Sequence, residues 1–203
     1  MASRRSASNR AVTRRVTELT MLQAQLRIEL REVKPLIWRR ILVPETVTFA
    51  KLHLILQAAM GWSHGHLHEY TVGRRRYGTP DEDWSGSEPV TDERRVRLKT
   101  LIEDRVRRFT YLYDFGDNWE HDIRIEDLVL PKAGAPRLIC TAGENACPPQ
   151  DVGGPPGYVD FLAALANPTH EEHENMQRWI GGAFDATAFD IGDINERLAA
   201  IKT

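Results

Sequence analysis

Cysteine is scarce: Cys140 and Cys147 are the only two in 203 residues. One pair cannot staple a chain of this size, and its C-x6-C spacing is not that of a zinc knuckle. Long apolar runs are missing too. Stretches such as Leu54-Ile55-Leu56 are a few residues long, far short of the ~20 that a membrane-spanning helix needs. Neither sign of charge dominates: 27 basic against 29 acidic residues leave a formal net charge of −2. That balance alone points to no polyanionic partner. Ser3-Arg4-Arg5 resembles the start of a twin-arginine signal, but the residues after it are polar and supply no apolar segment. The expectation is a cytoplasmic chain with reduced thiols and no membrane partner.

What is present is an uneven distribution of charge. Residues 1–17 carry five arginines (Arg4, Arg5, Arg10, Arg14, Arg15) and no acid, whereas residues 140–203 carry 3 basic and 10 acidic side chains. Residues 1–20 are expected to form a disordered basic tail, because they offer little apolar surface to offset the entropy of ordering. Beyond it, 41% hydrophobic residues are enough for a sizeable core, expected as one domain over 21–203.

Apolar residues alternate through Leu22, Ala24, Leu26, Ile28 and Leu30 with polar ones between, the period-2 pattern of a half-buried strand. Lys34-Pro35 turns the chain, Ile37 to Val43 reads as the partner strand, and Pro44 closes it. Thr48 is a good N-cap for a helix carrying Phe49, Leu52, Ile55, Leu56 and Ala59, which Gly61 stops. His66 to Val72 alternates again, and Gly73 turns it into residues 74–77. A polar loop over 78–93 and a short helix near 97–103 follow. The clearest hairpin runs from Arg108 to Glu126 with its turn at Phe115-Gly116-Asp117-Asn118. Another strand is expected at Leu138 to Thr141. A Pro/Gly loop over 143–157 leads to helices at about 158–166, 169–180 (Thr169 and Glu172 forming a capping box) and 190–201, opened by Asp190. The expected fold class is α+β: a mixed, mostly antiparallel sheet over 21–142 with one helix packed on it, and a helical portion over 158–203.

Several motifs then occur in order: Pro35-Leu-Ile-Trp-Arg-Arg40, Leu56-Gln-Ala-Ala-Met-Gly-Trp62, His66-Leu-His68, Tyr113-Asp-Phe-Gly-Asp-Asn-Trp-Glu-His121, Cys147-Pro-Pro-Gln-Asp-Val-Gly-Gly154 and Gly157-Tyr-Val-Asp-Phe161. Phe184-Asp185 and Phe189-Asp190 follow them. Together they resemble the plasmid open-reading-frame-three-like family, named from a root-inducing plasmid and sometimes labelled as transposon resolvases. The resemblance covers roughly residues 21–201. It implies an α+β domain, an association with plasmid or mobile DNA, and no defined activity. The family pattern usually has Glu where this chain has Gln150. The resolvase label finds no support in the residues, which contain neither a serine-recombinase nucleophile segment nor the spaced Arg/His/Arg/Tyr set of the tyrosine class.

The candidate chemistry lies in two places. His66 and His68 are two apart, so on a strand both imidazoles share one face and can chelate a metal. Tyr70 and Val72 continue that face, which makes it core-facing and His68 a structural histidine. Asp114, Asp117, Glu120, His121 and Asp122 crowd the hairpin. Asp114 and Asp117 suit turn-capping Asx bonds, while carboxylates beside a histidine also suit an acid–base pair or a hydrolytic metal site. Alternation places His121 inward with Trp119, Ile123 and Ile125. Catalytic candidates are therefore His66, His68, Asp114, Asp117 and His121. Metal candidates are His66, His68, Asp114, Cys140 and Cys147, with a divalent metal as the cofactor. The Asp114-Phe115-Gly116 tripeptide lacks the kinase motifs that would give it meaning and is read as a turn. Three functional expectations result. The leading one is a non-enzymatic binding or regulatory module with a protein or DNA partner. The others are a metal-dependent hydrolytic enzyme using His66, His68, Asp114 and His121, and DNA binding through Arg4, Arg5, Arg10, Arg14 and Arg15.

Overall fold

The computed structural model describes residues 21–63, 65–80 and 89–202. The arginine tail, His64 and residues 81–88 of the 78–93 loop lie outside the described residues. Eight strands form one sheet: β1 (Gln23–Leu30), β2 (Trp38–Pro44), β3 (His68–Val72), β4 (Arg75–Gly78), β5 (Thr91–Asp92), β6 (Arg108–Tyr113), β7 (Trp119–Val129) and β8 (Ile139–Glu144). Their order is β5-β4-β3-β6-β7-β1-β2-β8. The β4–β5 pair is parallel and the other ladders are antiparallel. With the helices α1 (Phe49–Met60), α2 (Leu98–Glu103), α3 (Gly154–Ala166), α4 (His173–Ile180) and α5 (Ile191–Ala199), the fold is the mixed, mostly antiparallel α+β arrangement that the patterning predicts.

Strand alternation decides the two faces. Ala24, Leu26, Ile28 and Leu30 of β1 are buried, as are Phe109, Tyr111 and Tyr113 of β6 and Trp119, His121, Ile123 and Ile125 of β7. On the opposite face, register sets Arg108, Arg124, Arg27 and Arg40 in one row across four strands. Acids interleave with the row: Arg27 pairs with Glu29, Arg40 with Glu126, and Arg31 beside them with both Glu120 and Asp122. Trp38 lies under Arg27, whose guanidinium carbon is 4.0 Å from the ring centroid.

The inward face is covered by α1. Thr48 caps it by accepting from the Lys51 amide at 3.2 Å, and Gly61 ends it in the left-handed region at φ 88°. Phe49, Leu52, Ile55 and Leu56 are fully buried beneath it, each contributing about 1.5–3 kcal/mol. α5 packs on β8 and α1, held at its start by Asp190, which accepts from the Gly192 and Asp193 amides. The Asn195 side chain reaches the outer edge of β8, accepting from Cys140 N at 2.7 Å and donating to Cys140 O at 3.1 Å. A side-chain amide thus completes pairing that another strand would otherwise offer.

Of the boundaries that differ from the sequence expectation, β7 runs on to Val129, β8 spans Ile139–Glu144 and β5 lies within the expected 78–93 loop. Three more bear on the site and its surroundings. α3 begins at Gly154, inside the Pro/Gly stretch read as loop to 157, because Pro155 and Pro156 occupy the first turn, where no amide donor is required. α4 begins at His173 with no side-chain cap; Thr169 instead bonds back to Asn167 through both its amide and its hydroxyl, so the expected capping box does not form. β3 begins at His68 rather than His66, which breaks the shared strand face on which a His66–His68 chelate depended.

Candidate functional site

The β6–β7 turn is the anchor of the site. Asp114 sits at φ 58°, a conformation rare for a residue with a side chain. Its Oδ1 accepts from the Gly116 amide at 2.9 Å and the Asp117 amide at 3.3 Å. Its own amide donates to Leu67 O at 2.9 Å, tying the turn to the segment before β3. The second oxygen, Oδ2, lies 3.3 Å from His66 Nδ1. On the other side of the same ring, His66 Nε2 lies 3.3 Å from Asp151 Oδ1. Asp151 is also held in the left-handed region, at φ 60°.

The loop that carries Asp151 is pinned from several sides. Trp62 Nε1 donates to Pro148 O at 2.9 Å. Gln150 Oε1 accepts from both the amide and the hydroxyl of Ser63, while its Nε2 donates to the Tyr113 hydroxyl at 3.1 Å. The Gly153 amide donates to Asp117 Oδ2 at 3.3 Å. Gly154, at φ 68°, comes so close to the hairpin turn that a Cβ there would collide with the Asp117 carbonyl oxygen. Tyr113 lies edge-on to His66 with ring centroids 5.7 Å apart. The amides of His66 and Gly65 face its hydroxyl, but burial still raises the Tyr113 pKa above its ordinary value.

One imidazole nitrogen and one oxygen from each of Asp114 and Asp151 lie within 4.8 Å of one another. Among the described residues this is the group of three with metal-ligand chemistry and spacing. An ion coordinates only one imidazole nitrogen, and here the other nitrogen then faces a carboxylate, the second-shell partner that fixes tautomer and ring orientation at metal sites. A mixed nitrogen–oxygen set of this kind suits zinc, manganese or iron(II).

The remaining sequence candidates lie elsewhere. His68 Nε2 is 2.8 Å from Glu93 Oε2, and its ring stacks on His53 at 3.6 Å. His53 Nδ1 is in turn 2.7 Å from the Tyr111 hydroxyl, which also accepts from Gln57. His121 is fully buried, with Nδ1 3.1 Å from Tyr111 O. Burial lowers its pKa to about 4, so the ring is neutral. Asp117 holds the Gly153 amide. Cys140 is buried with its thiol 3.4 Å from Ala142 O. Cys147 lies against Met60 and the guanidinium of Arg39, and burial pushes its thiol up to about 11. Neither thiol joins the His66 group. The arginines of the tail lie outside the described residues.

Asp151, in the Pro/Gly loop, and Glu93, at the end of the 78–93 loop, reach their histidines only through the tertiary fold. A local signal did exist for His53 and Gln57, which are four apart on the buried face of α1.

An α+β fold with a carboxylate–imidazole cluster where a hairpin turn meets a glycine-rich loop is the class of protein that these observations define. A family model described as plasmid pRiA4b ORF-3-like protein matches residues 23–193, and the chain belongs to that family. It is 42% identical over 176 residues to the uncharacterized protein y4hQ of Sinorhizobium fredii, covering 86% of this chain and 89% of the relative. A crystal structure of a protein of unknown function from Methanosarcina mazei Go1 superposes with a TM-score of 0.78 at 35% identity, covering 87% of this chain and 98% of that one. No helix among the described residues is long and apolar enough to cross a membrane.

Proposed function

We propose that this protein is a binding module that takes up a divalent cation at His66, Asp114 and Asp151. The observation that carries this reading is the convergence of two aspartates, each in the left-handed region, on the two nitrogens of one imidazole. Such backbone conformations cost about 1–3 kcal/mol each and persist where the surroundings over-determine them. Here the bonds from Leu67, Gln150 and Asp117 do so. The association with plasmid or mobile DNA rests on the family alone.

The test is stoichiometric metal uptake by the dialysed protein, read by calorimetry with zinc and with manganese, in parallel with His66→Ala and Asp151→Asn. The native protein is expected to bind about one ion, and each variant to lose at least ~10-fold in affinity while its melting profile without metal is unchanged. No uptake by the native protein, or equal uptake by both variants, overturns the reading. A hydrolytic role is favoured by one feature: an ion held by one His66 nitrogen and its neighbouring carboxylate, with the other carboxylate on the second nitrogen, keeps coordination positions for water. It predicts metal-dependent cleavage of an activated phosphodiester that Asp151→Asn abolishes. Without such turnover the binding reading stands.

A further inference from the structure

Beside Asp151, α3 and α4 enclose a groove of about 310 Å³. Its floor is Phe161, Met176 and Trp179, and its rim carries Asp151, Asp160 and Glu172. Trp179 meets Phe161 edge-to-face with centroids 5.7 Å apart, yet remains 47% exposed. α4 has no buried residue at all, so its ring and thioether face a space that the fold leaves open. Among the described residues no lysine or arginine lines the groove. The nearby Arg178 turns back on its own helix, donating to Glu174 O and Asn175 Oδ1. His170 accepts the Glu172 amide through Nδ1 at 3.1 Å.

The chemistry that complements this surface is a cation on an apolar stem. Asp160 and Glu172 have no lysine or arginine beside them among the described lining residues, and Asp151 has the His66 imidazole, so the groove favours a positive group. The exposed Trp179 ring favours a planar cation that stacks, and the apolar lining accepts methylenes. Guanidinium satisfies all three, because it stacks on rings and forks onto carboxylates, whereas ammonium is compact and strongly hydrated. The volume lies at the bottom of the range for small-molecule pockets, about 300–1,000 Å³, and suits one long side chain. Residues 140–203, with 10 acids and 3 bases, carry the same sign of charge. We propose that this groove is the docking site for an arginine side chain of a basic peptide partner. The proposal is independent of the cation reading, although Asp151 borders both sites.

Fluorescence anisotropy with labelled hexa-arginine amide and hexalysine amide, on the full chain in EDTA at 150 mM salt, tests it. Hexa-arginine is expected to bind at least ~5-fold more tightly than hexalysine. Trp179→Ala and the pair Asp160→Asn with Glu172→Gln should each weaken it by roughly tenfold. The pair Glu171→Gln with Glu174→Gln removes the same charge at exposed residues that do not line the groove and should change affinity by less than about twofold. Equal binding of the two peptides overturns the choice of guanidinium. Equal weakening by the control pair shows diffuse attraction instead of a site and overturns the proposal, as does no binding. A self-associating native chain that Trp179→Ala makes monomeric assigns the groove to a second copy and also overturns it. Because metal is absent throughout, failure here is distinct from failure of the cation site.

Discussion

His121 shows how burial converts a titratable side chain into a pH liability. Its Nδ1 has the Tyr111 carbonyl, but Nε2 has no hydrogen-bond partner among the described residues. The folded-state pKa of about 4 lies below the ordinary histidine value, so in acid the unfolded chain binds a proton that the folded chain refuses. Stability is therefore complete above about pH 6.5, falls as pH drops toward 4, and has by then lost on the order of 3 kcal/mol from this residue, at about 1.4 kcal/mol per pKa unit. Asp122 and Glu126, whose pKa values are lowered by Arg31 and Arg40, lose their contributions at still lower pH. Urea titrations between pH 7 and 4 should show the decline, and His121→Phe should flatten it; an equal slope in the variant counts against His121 as the source. Cys147 behaves in the opposite sense. Burial holds its thiol near 11 despite the adjacent Arg39, so little thiolate exists at neutral pH. Native protein should react with iodoacetamide at pH 8 far more slowly than protein in urea, roughly in proportion to opening of the fold; comparable rates contradict this. Among the described residues Arg39 has no carboxylate partner. It spends its donors on the carbonyls of Trp38, Ala59, Glu144 and Asn145, which makes a charged side chain a backbone clamp.

Among the elements, α5 has a task besides covering the core. Asn195 supplies both the acceptor and the donor that β8 presents at Cys140. Asn195→Leu is expected to cost about 1–3 kcal/mol through the two unpaired backbone groups, and to promote concentration-dependent association through the uncovered edge. Chemical denaturation and sedimentation velocity check the two effects; a fully stable, monomeric variant would show that the edge needs no guard. The elements that sequence alone makes legible are those whose signals are local. β6 and β7 alternate cleanly around a turn of Asp, Gly and Asn, and α1 carries its own cap and stop. The start of α3 was hidden because prolines that mark loops in most places also suit a first helical turn. The site was half legible. His66 and Asp114 stand out by residue type, but Asp151 follows Asp114 by 37 positions, and its approach depends on a glycine packed against the Asp117 carbonyl. The expected His66–His68 chelate depended on one extra pair of residues in β3.

For the whole molecule, the strand order places the first hairpin in the company of the last strands. β1 lies against β7 and β2 against β8, so the fold is closed by partners far apart in sequence, and loop-closure entropy must be met before those contacts reward it. That arrangement has a consequence for the chain as it is synthesised. β1 and β2 leave the ribosome early, with Leu26, Ile28 and Ile41 patterned for a core that does not yet exist. Their flanking strands, Trp119–Val129 and Ile139–Glu144, follow after most of the chain has been made, an interval of roughly 5–20 s at ordinary rates of synthesis. Throughout it both edges of the hairpin stand bare. A chain stopped before Trp119 should accumulate bound to chaperones or as aggregate, and one released after Ala199 should be soluble and protease-resistant. Arrested chains of graded length, probed by limited proteolysis, should gain resistance only once β7 and β8 have emerged; resistance in chains ending before β7 would show that the early hairpin shelters itself. Such a chain is expected to depend on the cell's folding machinery until β7 and β8 have emerged.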